Sequence, residues 1–191
     1  MTLTETLQKL IETPSDINEH LPTLKAYAEK CDHVTEMGVR WIVSTYAFLA
    51  GNPKRLVSID MQHPSAWGAD ISVPIQFAQE IGCDFSFVKA NTLEVEIEPT
   101  DMLFIDTWHA YKQLKAELAL HQSRVAKYIV LHDTTTYGEY DETSYEAMGP
   151  DWKGEGIGLW RAVTEFLNEF PEWTIEERFT NNNGLTVLRR N

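Results

Sequence analysis

Short apolar runs alternate with helical patterns along most of this chain, and this alternation restricts the fold more than any other feature. Five runs rich in Val, Ile, Leu and Phe are typical of strands buried on both faces. They cover residues 33–37, 55–60, 84–90, 102–107 and 127–133. Helical patterns lie before, between or after these runs, at 17–30, 40–51, 65–82, 109–124 and 158–170. The alternation predicts a parallel sheet with helices on both faces.

The last part of the chain follows a different pattern. Two more β-rich runs, at 173–180 and 185–190, are separated by Asn-Asn-Asn-Gly, which is a hairpin signal. We therefore predict an α/β fold, a Rossmann-like three-layer sandwich. Its seven-stranded, mostly parallel sheet should end in a C-terminal antiparallel hairpin.

The 191 residues suit one domain with a substantial core. We divide this single domain, 1–191, into an N-terminal helical segment (1–32) and a core (33–191). Residues 134–157 show no clear period, and loops that long inside compact domains are usually functional or mobile. At the helix ends, we expect Asp16 to cap the first helix and Pro74 to kink or break the third.

Charge and hydropathy narrow the class of partner. The formal net charge of −13 argues against a nucleic-acid-binding protein, because duplex binding rests largely on Lys and Arg. No apolar run approaches the roughly 20 residues needed to span a bilayer, and the N-terminus lacks a signal-peptide pattern. We expect a cytoplasmic protein without a membrane partner. Cys31 and Cys83 show no metal-type spacing, and we expect no disulfide framework.

Acidic side chains follow the first two predicted strands, where open parallel sheets bind ligands. The loop after the first strand contains Gly38 but lacks the glycine pattern and the lysine of phosphate-binding loops. A ligand without phosphates, such as S-adenosylmethionine, suits it better. Glu36 could then face the cationic end of the ligand, and Asp60 could accept hydrogen bonds from the ribose. The alternative is that Gly38 only permits a tight turn and that both acids are solvated.

A second cluster lies at the ends of the fourth and fifth predicted strands. Asp106 and Asp133 should be close together there, and two carboxylates in one crevice repel unless a cation joins them or one is protonated. Oxygen ligands with open positions suit Mg²⁺, which could bind a substrate hydroxyl. His109 could then remove the proton. His132 is open to three interpretations: a ligand, a partner of a ligand, or a buried structural histidine.

Four segments of the chain, at the ends of the predicted strands, resemble the class I S-adenosylmethionine-dependent methyltransferases. The segments "VTEMGV", "VSIDM", "FIDTWHAYKQLKAELAL" and "YIVLHDT" are closest to the branch of cephalosporin hydroxylase-like and macrolide-sugar O-methyltransferases. The final helix and hairpin pattern is also similar to that branch. The resemblance covers roughly residues 17–190, nearly the whole chain.

The resemblance implies roles for individual residues. It implies a cofactor site formed by Glu36, Gly38, Asp60, Asn91, Thr92 and Asp106, in which Asp60 binds the ribose and Asn91 and Thr92 lie near the adenine. It implies a metal site formed by Asp106 and Asp133, with His132 or Thr134 as a third ligand. His109 matches the general base, so that His109 and Asp106 form the catalytic pair.

This chain departs from the family pattern at two points. Ile42 stands where the family usually carries another glycine, beside the bulky Trp41. A side chain there could crowd the methionine part of the cofactor, or a slightly shifted loop could absorb it. Trp108 replaces a small acid. It could stack on substrate or simply pack against its neighbours.

The expected function is S-adenosylmethionine-dependent methyl transfer to a hydroxyl of a small molecule or sugar, assisted by Mg²⁺ or another divalent cation. One alternative is a metal-dependent hydrolase or lyase that uses the same Asp/His cluster. Another is a non-catalytic binding module, which a filled pocket between Gly38, Asp60 and Asn91 would favour. Four aromatic residues of the long loop could line the acceptor pocket or pack within the loop: Tyr137, Tyr140, Tyr145 and Trp152. Association into a homo-oligomer through the edge hairpin stays open.

Overall fold

The computed structural model describes residues 1–143 and 156–191. All seven predicted strands are present. They are β1 His33–Met37, β2 Arg55–Asp60, β3 Asp84–Lys89, β4 Thr100–Ile105, β5 Val125–His132, β6 Trp173–Phe179 and β7 Leu185–Arg190. Tyr145 and Trp152, two of the aromatic residues predicted to line or pack the long loop, lie outside the described residues.

The strands form one seven-stranded sheet in the order β3-β2-β1-β4-β5-β7-β6. The first five strands pair in parallel, whereas β7 runs antiparallel to both β5 and β6. This arrangement confirms the predicted mostly parallel sheet with a C-terminal hairpin. The direction of winding reverses between β1 and β4, and ligands of open α/β sheets bind at such a switch point.

Helices cover both faces of the sheet, as predicted. They are α1 Leu3–Glu12, α2 Leu21–Ala28, α3 Val43–Ala50, α4 Ser72–Ile81, α5 Tyr111–His121 and α6 Leu159–Glu169. The first four helices contribute to one hydrophobic core and the last two to the other. Alternate residues of the central strands enter opposite cores, which gives the three layers of the sandwich. None of the helices in the described part of the chain is long and apolar enough to cross a membrane.

Two details of the predicted helix ends are wrong. Asp16 does not cap α2, because a 3₁₀ turn at Asn18–His20 comes first and α2 begins only at Leu21. The Asp16 carboxylate instead lies 3.4 Å from the guanidinium of Arg40. Pro74 does not break a helix either, since it lies in the first turn of α4, where its missing N–H is not needed. The break falls earlier, between a 3₁₀ turn at Pro64–Trp67 and α4.

The tip of the β6–β7 hairpin is bound to the N-terminal segment. The side-chain oxygen of Asn182 accepts a hydrogen bond from the Glu19 backbone at 2.9 Å, and its amide donates to the Ser15 carbonyl at 2.8 Å. His20 Nε2 donates to the Asn181 carbonyl at 3.0 Å. These contacts join residues more than 160 positions apart and fix the hairpin tip beside the end of β5.

We expect the packing of α3 on the sheet to contribute strongly to the free energy of unfolding. Phe48 of α3 is fully buried and contacts Phe104 of β4 edge to face, with ring centroids 5.2 Å apart. Phe48→Ala should lower the free energy of unfolding by about 3–5 kcal/mol, because it removes buried surface and leaves a cavity. Urea denaturation measures the loss. Leu120→Ala, at a position 48% exposed, is the control and should change it by less than about 1 kcal/mol.

Candidate active site

The loop after β1 passes directly over the end of β4. Gly38 has a φ of +85°, and a Cβ added there would lie 1.9 Å from the carbonyl oxygen of Asp106. The Gly38 N–H donates to the Ile59 carbonyl at 2.9 Å, and the Asp106 N–H donates to the Met37 carbonyl at 2.8 Å. Only glycine fits this close approach of two backbones.

Asp60 holds this loop in place from the end of β2. Its Oδ2 accepts hydrogen bonds from the backbone N–H groups of Val39 at 2.8 Å and Arg40 at 3.2 Å. Its Oδ1 accepts from the Gln62 N–H at 2.8 Å. The predicted ribose-binding acid therefore also shapes the loop.

Ile42 adopts the backbone conformation that glycine would otherwise supply. Its φ is +69°, a left-handed conformation that costs a β-branched residue about 1–2 kcal/mol. Its side chain is 2% exposed and packs in the interior, so it does not line the neighbouring cavities. The Ile42 side chain therefore lies away from both cavities, a position that does not support the predicted crowding of the cofactor. Trp41 is 50% exposed and lines a smaller, adjoining cavity.

An open cavity of about 190 Å³ lies beyond the ends of β1, β2 and β4. Five of the six residues predicted to bind cofactor line it: Gly38, Asp60, Asn91, Thr92 and Asp106. Its walls are completed by other residues that include Met61, Trp67, Trp108 and Gln113. Among the described residues, no side chain fills the space between Gly38, Asp60 and Asn91, and a filled pocket there would have favoured a non-catalytic module.

Glu36, the sixth predicted cofactor residue, lies beneath the loop and not on the cavity. Its carboxylate is fully buried and accepts hydrogen bonds from the hydroxyls of Ser44, Thr45 and Ser58. Burial raises the pKa of Glu36 to about 7, although the three hydroxyl donors oppose this shift. Glu36 therefore ties β1 to β2 and to the first turn of α3, and supports the loop from below.

A second buried carboxylate, Glu117, was not predicted. It accepts from Thr92 Oγ1 at 2.6 Å, Thr107 Oγ1 at 2.8 Å and Gln113 Nε2 at 2.8 Å. The three residues that donate to Glu117 all line the open cavity. The signal in the sequence was its spacing, since Glu117 lies three residues after Leu114, on the buried face of α5.

The second predicted cluster is assembled as expected from the neighbouring ends of β4 and β5. His132 Nδ1 lies 3.2 Å from Asp106 Oδ1 and 3.0 Å from Asp133 Oδ2. His109 Nε2 lies 2.8 Å from Asp133 Oδ2 and 3.5 Å from Asp106 Oδ1. Asp133 reaches inward because its backbone is left-handed, with a φ of +59°. Both imidazoles therefore contact the same pair of carboxylates.

Further contacts hold the ring of His109 in one orientation. Its Nδ1 lies 2.8 Å from Glu142 Oε2, and the ring stacks on Tyr137 with centroids 4.6 Å apart and planes 7° apart. Glu142 lies in the aperiodic loop, 33 residues from His109, so no local pattern indicated it. Tyr137 thus contacts the proposed base directly, whereas Tyr140 is 68% exposed.

His132 is held from behind by the hairpin. Its Nε2 lies 3.3 Å from the Asn182 carbonyl oxygen, and its ring contacts His20 edge to face at 5.7 Å. Thr134, the alternative third metal ligand, is fully buried and faces β7, where its hydroxyl lies 2.9 Å from that of Thr186. Thr134 is therefore not part of the cluster, and His132 is the residue that faces it.

The charges of this cluster are strongly coupled. Burial alone would lower the pKa of each histidine, but the carboxylates of Asp106 and Asp133 outweigh it and raise the pKa of His132 to about 10. The pKa of His109 is also raised, by hydrogen bonds with Asp106, Asp133 and Glu142 that overcome burial. The cluster thus balances buried carboxylates with positive charge. Ligand atoms of Asp106, His109 and Asp133 lie within 4.8 Å of one another, so these donors also fit a single divalent cation.

One protein family matches most of this chain. Residues 9–190 match the family described as Rhamnosyl O-methyltransferase/CmcI. No curated protein sequence matches the chain. Solved structures with a similar fold share less than 25% sequence identity with the chain, and similarity at this level establishes the fold alone.

Three solved structures illustrate the shared fold. The cofactor-bound Rv0187 from MTB has a TM-score of 0.68 and 15% identity, with 98% of this chain and 89% of that chain covered. The O-methyltransferase from Bacillus cereus in complex with SAH has a TM-score of 0.63 and 12% identity, covering 99% and 90%. TomG from Streptomyces achromogenes in complex with SAM has a TM-score of 0.61 and 16% identity, covering 98% and 88%.

The buried Glu36 makes stability depend on pH. Its pKa of about 7 in the folded protein lies above the 4.5 of an ordinary glutamate, so the folded state binds the extra proton between these values. Its contribution is therefore greatest at low pH and is lost as the pH rises toward 7. In Glu36→Gln no group at this position titrates. The free energy of unfolding of the variant should therefore fall less than that of wild type as the pH rises, by at most about 3 kcal/mol.

Urea denaturation at about pH 5 and about pH 7.5 compares the two proteins. The difference in the free energy of unfolding between wild type and Glu36→Gln should shift in favour of the variant at the higher pH. Glu80→Gln, on an exposed face of α4, is the control. A difference that stays the same at both pH values would contradict the assignment of a raised pKa.

Proposed function

Because the chain belongs to the Rhamnosyl O-methyltransferase/CmcI family, and is thereby an S-adenosylmethionine-dependent O-methyltransferase, we propose that it methylates a hydroxyl of a small molecule or sugar. One observation carries this proposal. Asp106 lines the open cavity and at the same time contacts both histidines of the cluster. A cofactor in the cavity would therefore bring its methyl group next to the cluster.

The cavity residues suit this cofactor. A carboxylate offers about four lone-pair sites, and Asp60 uses three of them for backbone N–H groups, which leaves one for a ribose hydroxyl. Asn91 and Thr92 lie on the wall beyond Asp60, where we assign the adenine. The cavity wall formed by Gly38 has no side chain, so the cofactor can approach the backbone closely.

His109 is the group that we assign as the base, acting as the neutral imidazole. The carboxylates raise its pKa in the cation-free cluster, so this form requires that a bound cation balances their charge. His109 Nδ1 donates to Glu142 and its Nε2 faces the two aspartates, so the ring cannot turn away from the acceptor. A divalent cation held by Asp106 and Asp133 would supply positive charge that favours ionisation of the acceptor hydroxyl. The remaining rate enhancement would come from holding the acceptor oxygen in line with the methyl group.

The open cavity also argues against the alternative of a hydrolase or lyase. A hydrolase or lyase would need only the Asp/His cluster, and the open cavity that shares Asp106 with it would have no use. Family membership and the open cavity both support methyl transfer over that alternative.

Cofactor binding is the first test, with S-adenosylhomocysteine as the probe in calorimetry. Gly38→Ala should abolish binding, because the new Cβ would meet the Asp106 carbonyl and push the loop away from β4. Gly82→Ala is the matched control, since Gly82 has a similar φ of +73° but open space around it. The control should bind with a Kd within about twofold of wild type while losing about 1 kcal/mol of stability. Wild-type protein that binds no S-adenosylhomocysteine at millimolar concentration would sink the proposal.

The role of His109 is tested by turnover. With S-adenosylmethionine and a panel of sugar and phenolic acceptors, release of S-adenosylhomocysteine is measured by chromatography. His109→Gln should lower kcat by about 10²–10⁴-fold, because proton removal is lost, while the Kd for S-adenosylhomocysteine stays nearly unchanged. His63→Gln, an exposed histidine outside the cluster, is the control. Full activity in His109→Gln would exclude His109 as the base.

A further inference from the structure

The hydrogen bonds around His132 fix which of its nitrogens keeps a proton when the ring becomes neutral on binding a metal. The carbonyl oxygen of Asn182 can only accept, so His132 Nε2 must donate to it at 3.3 Å. In the neutral ring, Nδ1 then carries the lone pair. Loss of the Nδ1 proton would turn that lone pair toward the space it shares with Asp106 Oδ1 and Asp133 Oδ2, which lie 3.2 and 3.0 Å away.

His109 has the same arrangement with the nitrogens exchanged. Its Nδ1 donates to the Glu142 carboxylate at 2.8 Å, which leaves the lone pair of the neutral ring on Nε2. Nε2 faces Asp133 Oδ2 at 2.8 Å and Asp106 Oδ1 at 3.5 Å. A histidine held from behind by a carboxylate or a backbone carbonyl is the usual setting of a metal-binding imidazole.

The four nitrogen–oxygen separations in this cluster are compatible with ligands that share one metal ion. These separations range from 2.8 to 3.5 Å. Metal–ligand bonds of about 2.1 Å place neighbouring ligand atoms roughly 3.0–3.4 Å apart in octahedral or tetrahedral sites. Only small movements would therefore be needed to bind an ion.

The exposure of the four side chains gives this site one open side. The side chains of His132, Asp133 and His109 are 1%, 6% and 9% exposed, whereas that of Asp106 is 25% exposed. Asp106 also lines the cavity assigned to the cofactor. An ion bound here would therefore keep open positions on the cavity side, toward the proposed acceptor.

We propose that this site binds a first-row transition-metal cation of the Fe²⁺ to Zn²⁺ series in preference to Mg²⁺. Mg²⁺ favours carboxylate oxygens and water, whereas imidazole nitrogens suit Fe, Ni, Cu and Zn. The donor set here contains two carboxylate oxygens and the Nδ1 of His132, with His109 Nε2 within reach. The Mg²⁺ expected from the strand-end carboxylates alone therefore fits the assembled donors poorly. We assign His132 as the permanent nitrogen ligand because it is the most deeply buried, and His109 keeps its role as base.

This inference rests on the proposed function only in that the cation would assist methyl transfer. The test itself uses no cofactor and no acceptor. Metal-free protein is titrated with Co²⁺, whose visible absorption reports its ligands, and with Mg²⁺ in calorimetry. We expect the Kd for Co²⁺ to be at least about 100-fold lower than that for Mg²⁺. Millimolar Mg²⁺ should not remove the Co²⁺ spectrum.

Two variants separate the nitrogen ligand from a structural histidine. His132→Gln should weaken Co²⁺ binding about tenfold or more while changing the Kd for Mg²⁺ by less than about threefold, since only the imidazole is lost. His132→Glu gives an all-oxygen donor set and should reduce the Co²⁺ preference over Mg²⁺. His63→Gln should leave both constants unchanged. Circular dichroism confirms that each variant folds.

The outcomes distinguish this inference from the proposed function. If the wild type binds Mg²⁺ as tightly as Co²⁺, the inference is overturned. It is also overturned if the wild type binds neither ion, because imidazolium–carboxylate pairs then fill the cluster without metal. Either result needs no variant. Binding of S-adenosylhomocysteine to the same metal-free protein then reports separately on the proposed function.

Discussion

The close contact between Gly38 and the backbone of Asp106 is the constraint on which the rest of this site depends. It brings the loop after β1 over the end of β4, at the point where the sheet reverses its winding. The open cavity lies on one side of Asp106, and the Asp/His cluster lies on the other. A side chain at position 38 would separate the two, because the loop would have to rise from the sheet.

Four carboxylates around the site are held in two different ways, and the difference separates structural support from chemistry. Glu36 receives three hydroxyl donors, and Glu117 receives two hydroxyls and an amide. Hydroxyls and amides carry no titrating proton in the physiological range, so these partners cannot balance the carboxylate charge by protonation as an imidazole does. Asp106 and Asp133 are instead paired with imidazoles, which can give up a proton. At the second kind of site a cation can therefore take the place of the imidazole protons.

The two ends of the chain cooperate behind this cluster. The hairpin tip binds the N-terminal segment through Asn182, and the carbonyl of the same residue faces His132. His20, from the N-terminal segment, contacts the ring of His132. Segments far apart in sequence thereby orient one imidazole, and the long loop does the same for the other through Glu142. The cluster is rigid because each ring is held on the side away from the carboxylates.

The sequence by itself determined the seven strands, the closing hairpin and the proximity of Asp106 and Asp133, because period and turn chemistry are local properties and adjacent strand ends must meet. The tertiary structure decided what local patterns do not encode. It placed Glu36 below the loop, turned Thr134 away, and gave Ile42 a left-handed backbone. It also brought Glu142 to His109 and the Asn182 carbonyl to His132, across 33 and 50 residues. Hydrogen bonds between distant segments arise only when the whole chain has folded, and they set which nitrogen of each histidine is free to act.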